Sequence, residues 1–385
     1  MIHFINHFST KDLDPFTVEK GFEAVKYEAT SDTVGYYNLP QSSQKLIEEV
    51  IPLRKSIDRK YHTIAVVGIG GSSLGIKAIE RLLRPKTPNA KKIIYLENSD
   101  PISVNHEISR LDKRHTLFVV ISKSGGTVET LSIFKRILAT FDLQVTNSDQ
   151  ILVVTDHGSN LSIFAKMHGL KTFFIPSNVG GRFSVLSAVG IIPLTLAGFD
   201  TLEVLKGADD FINRFWKRKE DHLLQKATYY VQHAKTFPMN VLFSYSDTFE
   251  EFGKWVVQLW GESLGKRNRR GERVGLTPIS LIGSVDQHSF LQLIVQGPLN
   301  KTVTFMRVAQ SETAVMIPNI SLPHLESSDF LNGHSFNDLI NAQCIATMQS
   351  VIENDVSVDE IEWDEIDETH VGVMIIYYEL LTSVA

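Results

Sequence analysis

The sequence predicts an α/β protein built as two domains, each a doubly wound parallel sheet flanked by helices. Three observations predict it. From about Tyr61 onward, short β-branched runs alternate with longer helical patterns, the rhythm of a sheet wrapped by helices. The strand segments are almost continuously apolar, as strands covered on both faces must be. The same rhythm starts again after a charged stretch in the middle of the chain.

The first set of strands is expected at Ile64 to Val67, Ile93 to Leu96, Leu117 to Ile121, Ile151 to Thr155 and Thr172 to Ile175. Between them, helices are expected at Leu74 to Leu83, Ile102 to Leu111, Thr127 to Leu138 and Leu161 to His168. In the third of these Val128, Leu131, Phe134 and Leu138 recur at the helical period. In the second half, Val241 to Ser244, Thr277 to Leu281 and Val303 to Val308 read as strands. Phe249 to Leu264, Gln287 to Val295 and Phe336 to Ile352 read as helices, and Val371 to Ala385 as a core helix. The expected organisation is an N-terminal arm over 1–45, a first domain over 46–200, a helical connector over 201–235 and a second domain over 236–385.

With 385 residues, 43% of them hydrophobic, the chain has apolar material for more than one core. The formal net charge is −6, and the densest basic run, Lys266 to Arg270, is followed at once by Gly271-Glu272, so nucleic-acid binding is not expected. A single cysteine, Cys344, excludes an internal disulfide and suits a reducing compartment. The start, Met1-Ile2-His3-Phe4, lacks a basic region followed by a long apolar one, and no apolar run approaches the roughly 20 residues that span a bilayer. A cytoplasmic protein without membrane association is the expectation.

Two turns look built for an anion. Gly68-Ile69-Gly70-Gly71-Ser72-Ser73 runs from a strand into a helix; its glycines allow close backbone approach, and the helix start offers N–H groups. The spacing is not that of a dinucleotide loop, and Ser72 and Ser73 add hydroxyl donors. Ser122-Lys123-Ser124-Gly125-Gly126-Thr127 repeats the geometry after another strand and crowds hydroxyls and a cation at a helix start, enough to satisfy a phosphate. The structural alternative is a helix merely capped by Thr127. No nucleotide-triphosphatase loop pattern is present.

Gly180-Gly181-Arg182 follows the strand ending at Ile175, where ligands of open α/β sheets bind; a fixed guanidinium there suits a developing oxyanion, the alternative being a surface salt bridge. Glu262 lies near the C-terminus of a long apolar helix, where the helix dipole strengthens a carboxylate as a base, although most such glutamates are only solvated. Asp286 reads as a helix cap and His288 falls in the first turn after it, with a structural role as open as a catalytic one. The remaining histidines, among them His334 and His370, show no paired ligand spacing, and no metal site is expected.

Together these segments resemble the phosphoglucose isomerase family, in its shorter bacterial form and over nearly the whole chain. The likeness rests on Gly-Ile-Gly-Gly-Ser at 68–72, Ser-Lys-Ser-Gly-Gly-Thr at 122–127, the stretch from Asn178 to Gly190, Gly-Glu-Ser-Leu-Gly-Lys at 261–266 and Asp-Gln-His-Ser at 286–289. The resemblance implies two sugar-isomerase domains of flavodoxin-like type. It also implies interconversion of glucose 6-phosphate and fructose 6-phosphate in glycolysis and gluconeogenesis, without cofactor or metal. By the same resemblance Ser72, Ser122, Lys123, Ser124 and Thr127 hold the sugar phosphate, and Gly71 allows close backbone approach. Glu262 is the base acting between C2 and C1, Arg182 stabilises a cis-enediolate, and Gln258 lines the sugar pocket. His288 assists ring opening from the other subunit of a homodimer. Family members carry an Asp-Gln-Pro-Gly-Val-Glu segment and a ring-opening lysine near the C-terminus; this sequence ends at Thr382-Ser383-Val384-Ala385 without them. The rival expectations are an isomerase for another sugar phosphate and a non-catalytic sugar-phosphate sensor.

Overall fold

The computed structural model describes residues 1–310 and 315–385. Its strands, in chain order, are β1 (Ile2–Asn6), β2 (Thr63–Val67), β3 (Lys92–Leu96), β4 (Thr116–Ile121), β5 (Ile151–Asp156), β6 (Lys171–Ile175), β7 (Met239–Ser244), β8 (Lys266–Arg267), β9 (Arg273–Val274), β10 (Thr277–Ile282), β11 (Lys301–Val308) and β12 (Ser357–Trp363). The chain divides into two compact units. One comprises residues 23–217 with 371–379; the other comprises residues 1–22, 218–370 and 380–385.

In the unit of residues 23–217 the sheet order is β3-β2-β4-β5-β6, and every pairing is parallel. All six residues of the central strand β4 are buried, which its sequence Thr-Leu-Phe-Val-Val-Ile anticipates. Burying each of its large apolar side chains contributes about 1.5–3 kcal/mol. The helix Leu74–Leu83 is amphipathic and buries Ile76, Ile79, Leu82 and Leu83. The helix Ala188–Ala197 is buried at every position, which explains its lack of any polar face. Because the chain starts on β2, moves to β3 on one side and then to β4 on the other, the strand order reverses between β2 and β4. In open α/β sheets such a reversal marks where ligands bind, here the C-terminal ends of these two strands.

The second sheet runs β1-β12-β11-β7-β10. Its four later strands repeat the order of the first sheet and are parallel, but the fifth place is taken by β1, which pairs antiparallel with β12. The second sheet is therefore parallel apart from this one edge strand, which lies within the stretch expected as an arm over 1–45. Ile2–Asn6 alternates half-buried and exposed side chains, as an edge strand should, and residues 1–22 and 23–45 fall in different units. The expected connector over 201–235 is likewise two helices, Thr201–Trp216 and Asp221–Gln232, which belong to different units. The helix expected over Gln287 to Val295 is a 3₁₀ turn, Val285–Gln287, followed by a short helix, Leu291–Val295.

β12 has no counterpart among the expected strands because its sequence, Ser-Val-Asp-Glu-Ile-Glu-Trp, carries three acids. The fold neutralises them in place. Lys226, fully buried, lies 2.5 Å from Asp359, which also accepts from Tyr230 and Thr304; Arg307 holds Glu360 at 2.8 Å and contacts Glu362. Burial pushes the Lys226 ammonium below its ordinary value, while the Asp359 carboxylate opposes that shift.

Candidate active site

Both hydroxyl-rich turns lie in the unit of residues 23–217, directly after β2 and β4, at the two strand ends where the order reverses. Around the first turn, Gly70–Ser72, two glycines pack too closely on their neighbours to admit a side chain. A Cβ on Gly68 would stand 2.9 Å from the Ile121 carbonyl oxygen at the end of β4. One on Gly71 would overlap the Gly181 carbonyl and stand 2.9 Å from the Arg182 nitrogen. The turn after β2 thus touches both the end of β4 and the arginine turn after β6.

In the second turn, the Ser122 and Thr127 hydroxyls are hydrogen-bonded to each other at 2.9 Å, so two elements five residues apart meet at one point. Thr127 occupies the N-cap position of the helix Val128–Phe141 but makes no side-chain cap hydrogen bond, so the simple capping alternative does not describe its hydroxyl. Gly125 has φ 69°, and a Cβ there would stand 2.7 Å from the Leu161 nitrogen; only glycine suits the position. The turn is braced from β5: the Thr155 hydroxyl donates to the Ser122 carbonyl at 2.6 Å. Ser124 is exposed, whereas Thr130 is buried one turn into the helix.

Lys123 reaches from its own loop to the one that follows β6. Its ammonium donates to the carbonyls of Ser177 (3.0 Å) and Val179 (2.6 Å) and lies 3.8 Å from the Asp156 carboxylate. Burial pushes the Asp156 carboxyl above its usual range, with the Lys123 charge acting in the opposite direction. Sequence reasoning does not single out Thr155 or Asp156. Their place at the C-terminal end of an apolar strand, the property that marks Ser122 and Arg182, is the signal that could find them.

Arg182 sits in the 3₁₀ turn Gly181–Phe183, its guanidinium over the Phe183 ring at 5.3 Å; Phe183 in turn stacks on the buried Tyr36 at 4.7 Å. Among the described residues a Cβ on Gly181 would meet nothing within 4 Å, so the glycine that close packing demands here is Gly71.

The other unit carries Gln258, Glu262 and His288. The helix Glu250–Leu264 buries Phe252, Trp255, Val256, Leu259 and Trp260, and Trp260 donates to Asn240 of β7 at 2.9 Å. Glu262 stands exposed on another side of this anchored helix. Gln258, one turn earlier, donates to its Oε2 at 3.4 Å, and Lys266 donates to its backbone carbonyl at 2.7 Å. His288 is exposed on a different element, the turn after β10. Asp286 does not cap the following helix. Its carboxylate accepts from the Ile282 N–H (2.7 Å) and the Ser289 hydroxyl (2.7 Å), closing the loop that presents His288. Among the described residues one histidine–carboxylate group could reach a single metal ion, His3 with Glu362 and Asp364. There Asp364 is held by the Met1 amine at 2.7 Å and Glu362 by Arg307.

The family model of phosphoglucose isomerase matches residues 45–336, most of the chain and every turn described above. The chain belongs to the phosphoglucose isomerase family. It is 42% identical over 375 residues to the glucose-6-phosphate isomerase of Campylobacter jejuni, an alignment covering 97% of this chain and 91% of that one. To the glucose-6-phosphate isomerase of Carboxydothermus hydrogenoformans it is 32% identical, covering 90% and 78%. Among solved structures, a hypothetical protein of Thermus thermophilus superposes with TM-score 0.91 at 30% identity, covering all of this chain and 93% of that one. A glucose-6-phosphate isomerase of Chlamydia trachomatis shares the fold, with TM-score 0.74, 24% identity and coverage of 88% and 68%. The phosphoglucose isomerase fold is thus carried by both units. Among the described residues no helix is long and apolar enough to cross a membrane.

Proposed function

We propose that this chain interconverts glucose 6-phosphate and fructose 6-phosphate through ring opening and a cis-enediolate. The observation that carries the reading is the packing of two hydroxyl-bearing turns and an arginine turn at the strand-order reversal of one sheet. An anion is the ligand such turns suit, since hydroxyls and the amides of a helix start converge there.

In this reading the phosphate sits on Ser72, Ser122, Ser124 and Thr127, with Gly71 allowing the backbone to approach and Lys123 contributing charge. Gln258 lines the sugar pocket. Glu262 removes the proton from C2 of the open-chain aldose and returns it to C1 of the enediolate, while Arg182 balances the charge that grows on oxygen. The hydrogen moves within the substrate, so the step needs no redox partner. His288, contributed by the partner subunit of a homodimer, assists ring opening, and the setting is the cytoplasm.

The test is Glu262→Gln, assayed by formation of fructose 6-phosphate from glucose 6-phosphate in a coupled reaction. Turnover should fall about 10²- to 10⁴-fold with ligand binding retained. Wild-type turnover in the variant would remove Glu262 from the mechanism, and a wild-type chain that forms no product would refute the activity.

A further inference from the structure

We propose that Lys123 and Asp156 act together as a positioning strut that ties the phosphate turn to the arginine turn. This deepens the isomerase reading and rests on it for its catalytic part. The sheet order puts β5 between β4 and β6, so the turn carrying Ser122 to Thr127 and the loop leading to Arg182 leave strands two ladder spacings apart, roughly 10 Å. The Lys123 side chain crosses that gap. Its ammonium, one residue after β4 and Ser122, donates to the carbonyls of Ser177 (3.0 Å) and Val179 (2.6 Å), which stand between β6 and Arg182. Asp156, the last residue of β5, lies beneath the crossing. Its backbone N–H donates to the Lys123 carbonyl at 3.2 Å and its Oδ2 stands 3.8 Å from the ammonium. Oδ1 of the same carboxylate is buried and accepts no hydrogen bond among the described residues.

An ammonium has three N–H groups. With two of them on loop carbonyls, it gives the bound phosphate a nearby charge while its directional bonds set the arginine turn. The burial of Asp156 pushes its carboxyl upward; the lysine is the main influence opposing this, ahead of His157, so the carboxylate depends on the ammonium it supports. Hydroxyls and backbone N–H groups, not the Lys123 side chain, are then the directional ligands of the phosphate.

Lys123→Met, Asp156→Asn and the double variant test this, with thermal unfolding run on each. The first readout does not involve activity: amide hydrogen exchange at Val179, Phe183 and Ser184, whose N–H groups bond within the 176–184 loop. Exchange at these amides should quicken about five- to tenfold in both single variants, as local opening becomes easier. The second readout is kinetic. Displacing Arg182 should lower kcat about tenfold or more, with inhibition by inorganic phosphate changed less than about threefold. The double variant should be no worse than Lys123→Met alone, because both changes break one device.

If Asp156→Asn instead tightens inorganic phosphate binding and leaves kcat and loop exchange unchanged, Lys123 is a direct phosphate ligand and the strut is wrong. Additive losses in the double variant overturn it equally. Should Lys123→Met not fold, the isosteric Asp156→Asn carries the test. A wild-type chain without isomerase activity would defeat the functional proposal, while the exchange measurement would still decide the strut.

Discussion

Gly71→Ala is the sharpest perturbation this architecture offers. A methyl group at that position would overlap the Gly181 carbonyl and stand 2.9 Å from the Arg182 nitrogen, where ordinary contact begins at 3.4 Å. Both neighbours are backbone, so no side chain can swing away. The turn after β2 and the arginine turn must part by about 1 Å, and a misplacement of that size at a reacting centre costs about 10²-fold in rate. The accompanying loss of stability should be about 1–3 kcal/mol, the usual cost of overpacking. Gly126→Ala is the matched control, since a Cβ there meets nothing within 4 Å among the described residues and Gly126 does not have a left-handed φ. The assay is coupled isomerase activity on both variants, with urea unfolding to separate stability from catalysis. A Gly71→Ala protein with wild-type kcat would refute the claim that contact between these turns sets the position of Arg182. Equal losses in the two variants would show that any methyl in the glycine turns is harmful and that the contact has no special role.

Lys226→Met should cost about 3–5 kcal/mol, because it leaves the Asp359 carboxylate buried without its cation. A Lys226→Met/Asp359→Leu double variant should recover much of that loss in urea unfolding. Glu379 is fully buried, and among the described residues neither carboxylate oxygen has a hydrogen-bond partner; burial holds its carboxyl well above the usual range. A raised folded-state value means that the contribution to stability is fully present below the unfolded carboxyl's range and is lost as pH rises through the folded one. Glu379→Gln should therefore gain Tm relative to wild type at pH 8 more than at pH 5, and a gap that does not widen with pH would contradict the assignment.

Much of the first sheet is legible in the sequence because its strands are buried on both faces and their composition says so. β4 reads as a strand from Leu117 to Ile121 and is one from Thr116 to Ile121. β12 is not legible, since its acids are neutralised by Lys226 and Arg307, residues about 50 or more positions distant, and local composition cannot see such pairing. β1 escapes for a related reason: five residues of half-buried edge strand make sense only beside the partner they meet at β12.

The turns at 68–73 and 122–127 are visible in the sequence as glycine–hydroxyl clusters. The function of individual members is not. The paired glycines at 180–181 stand out beside Arg182 in the sequence, yet the glycine closely packed against that turn is Gly71, in the turn after β2. Lys123 reads as a ligand among ligands, and only the crossing over β5 reveals where its ammonium goes. Glu262 can be placed at a helix end by periodicity, whereas Trp260 and Asn240, which anchor that helix to its sheet, meet only in three dimensions.

The antiparallel edge strand has a consequence for biosynthesis. The Met1 amine meets the Asp364 carboxylate across 363 positions of chain. At the usual pace of translation, about 5–20 residues per second, β1 waits on the order of 20–70 seconds for its partner to leave the ribosome. During that interval the unit of residues 23–217 can form all of its sheet, because β2 to β6 lie within that stretch. The nascent β1, meanwhile, must avoid pairing with strands from neighbouring chains. Completion of the second sheet thus waits on synthesis of everything between β1 and its partner β12, so β1 is locked in place long after it is made.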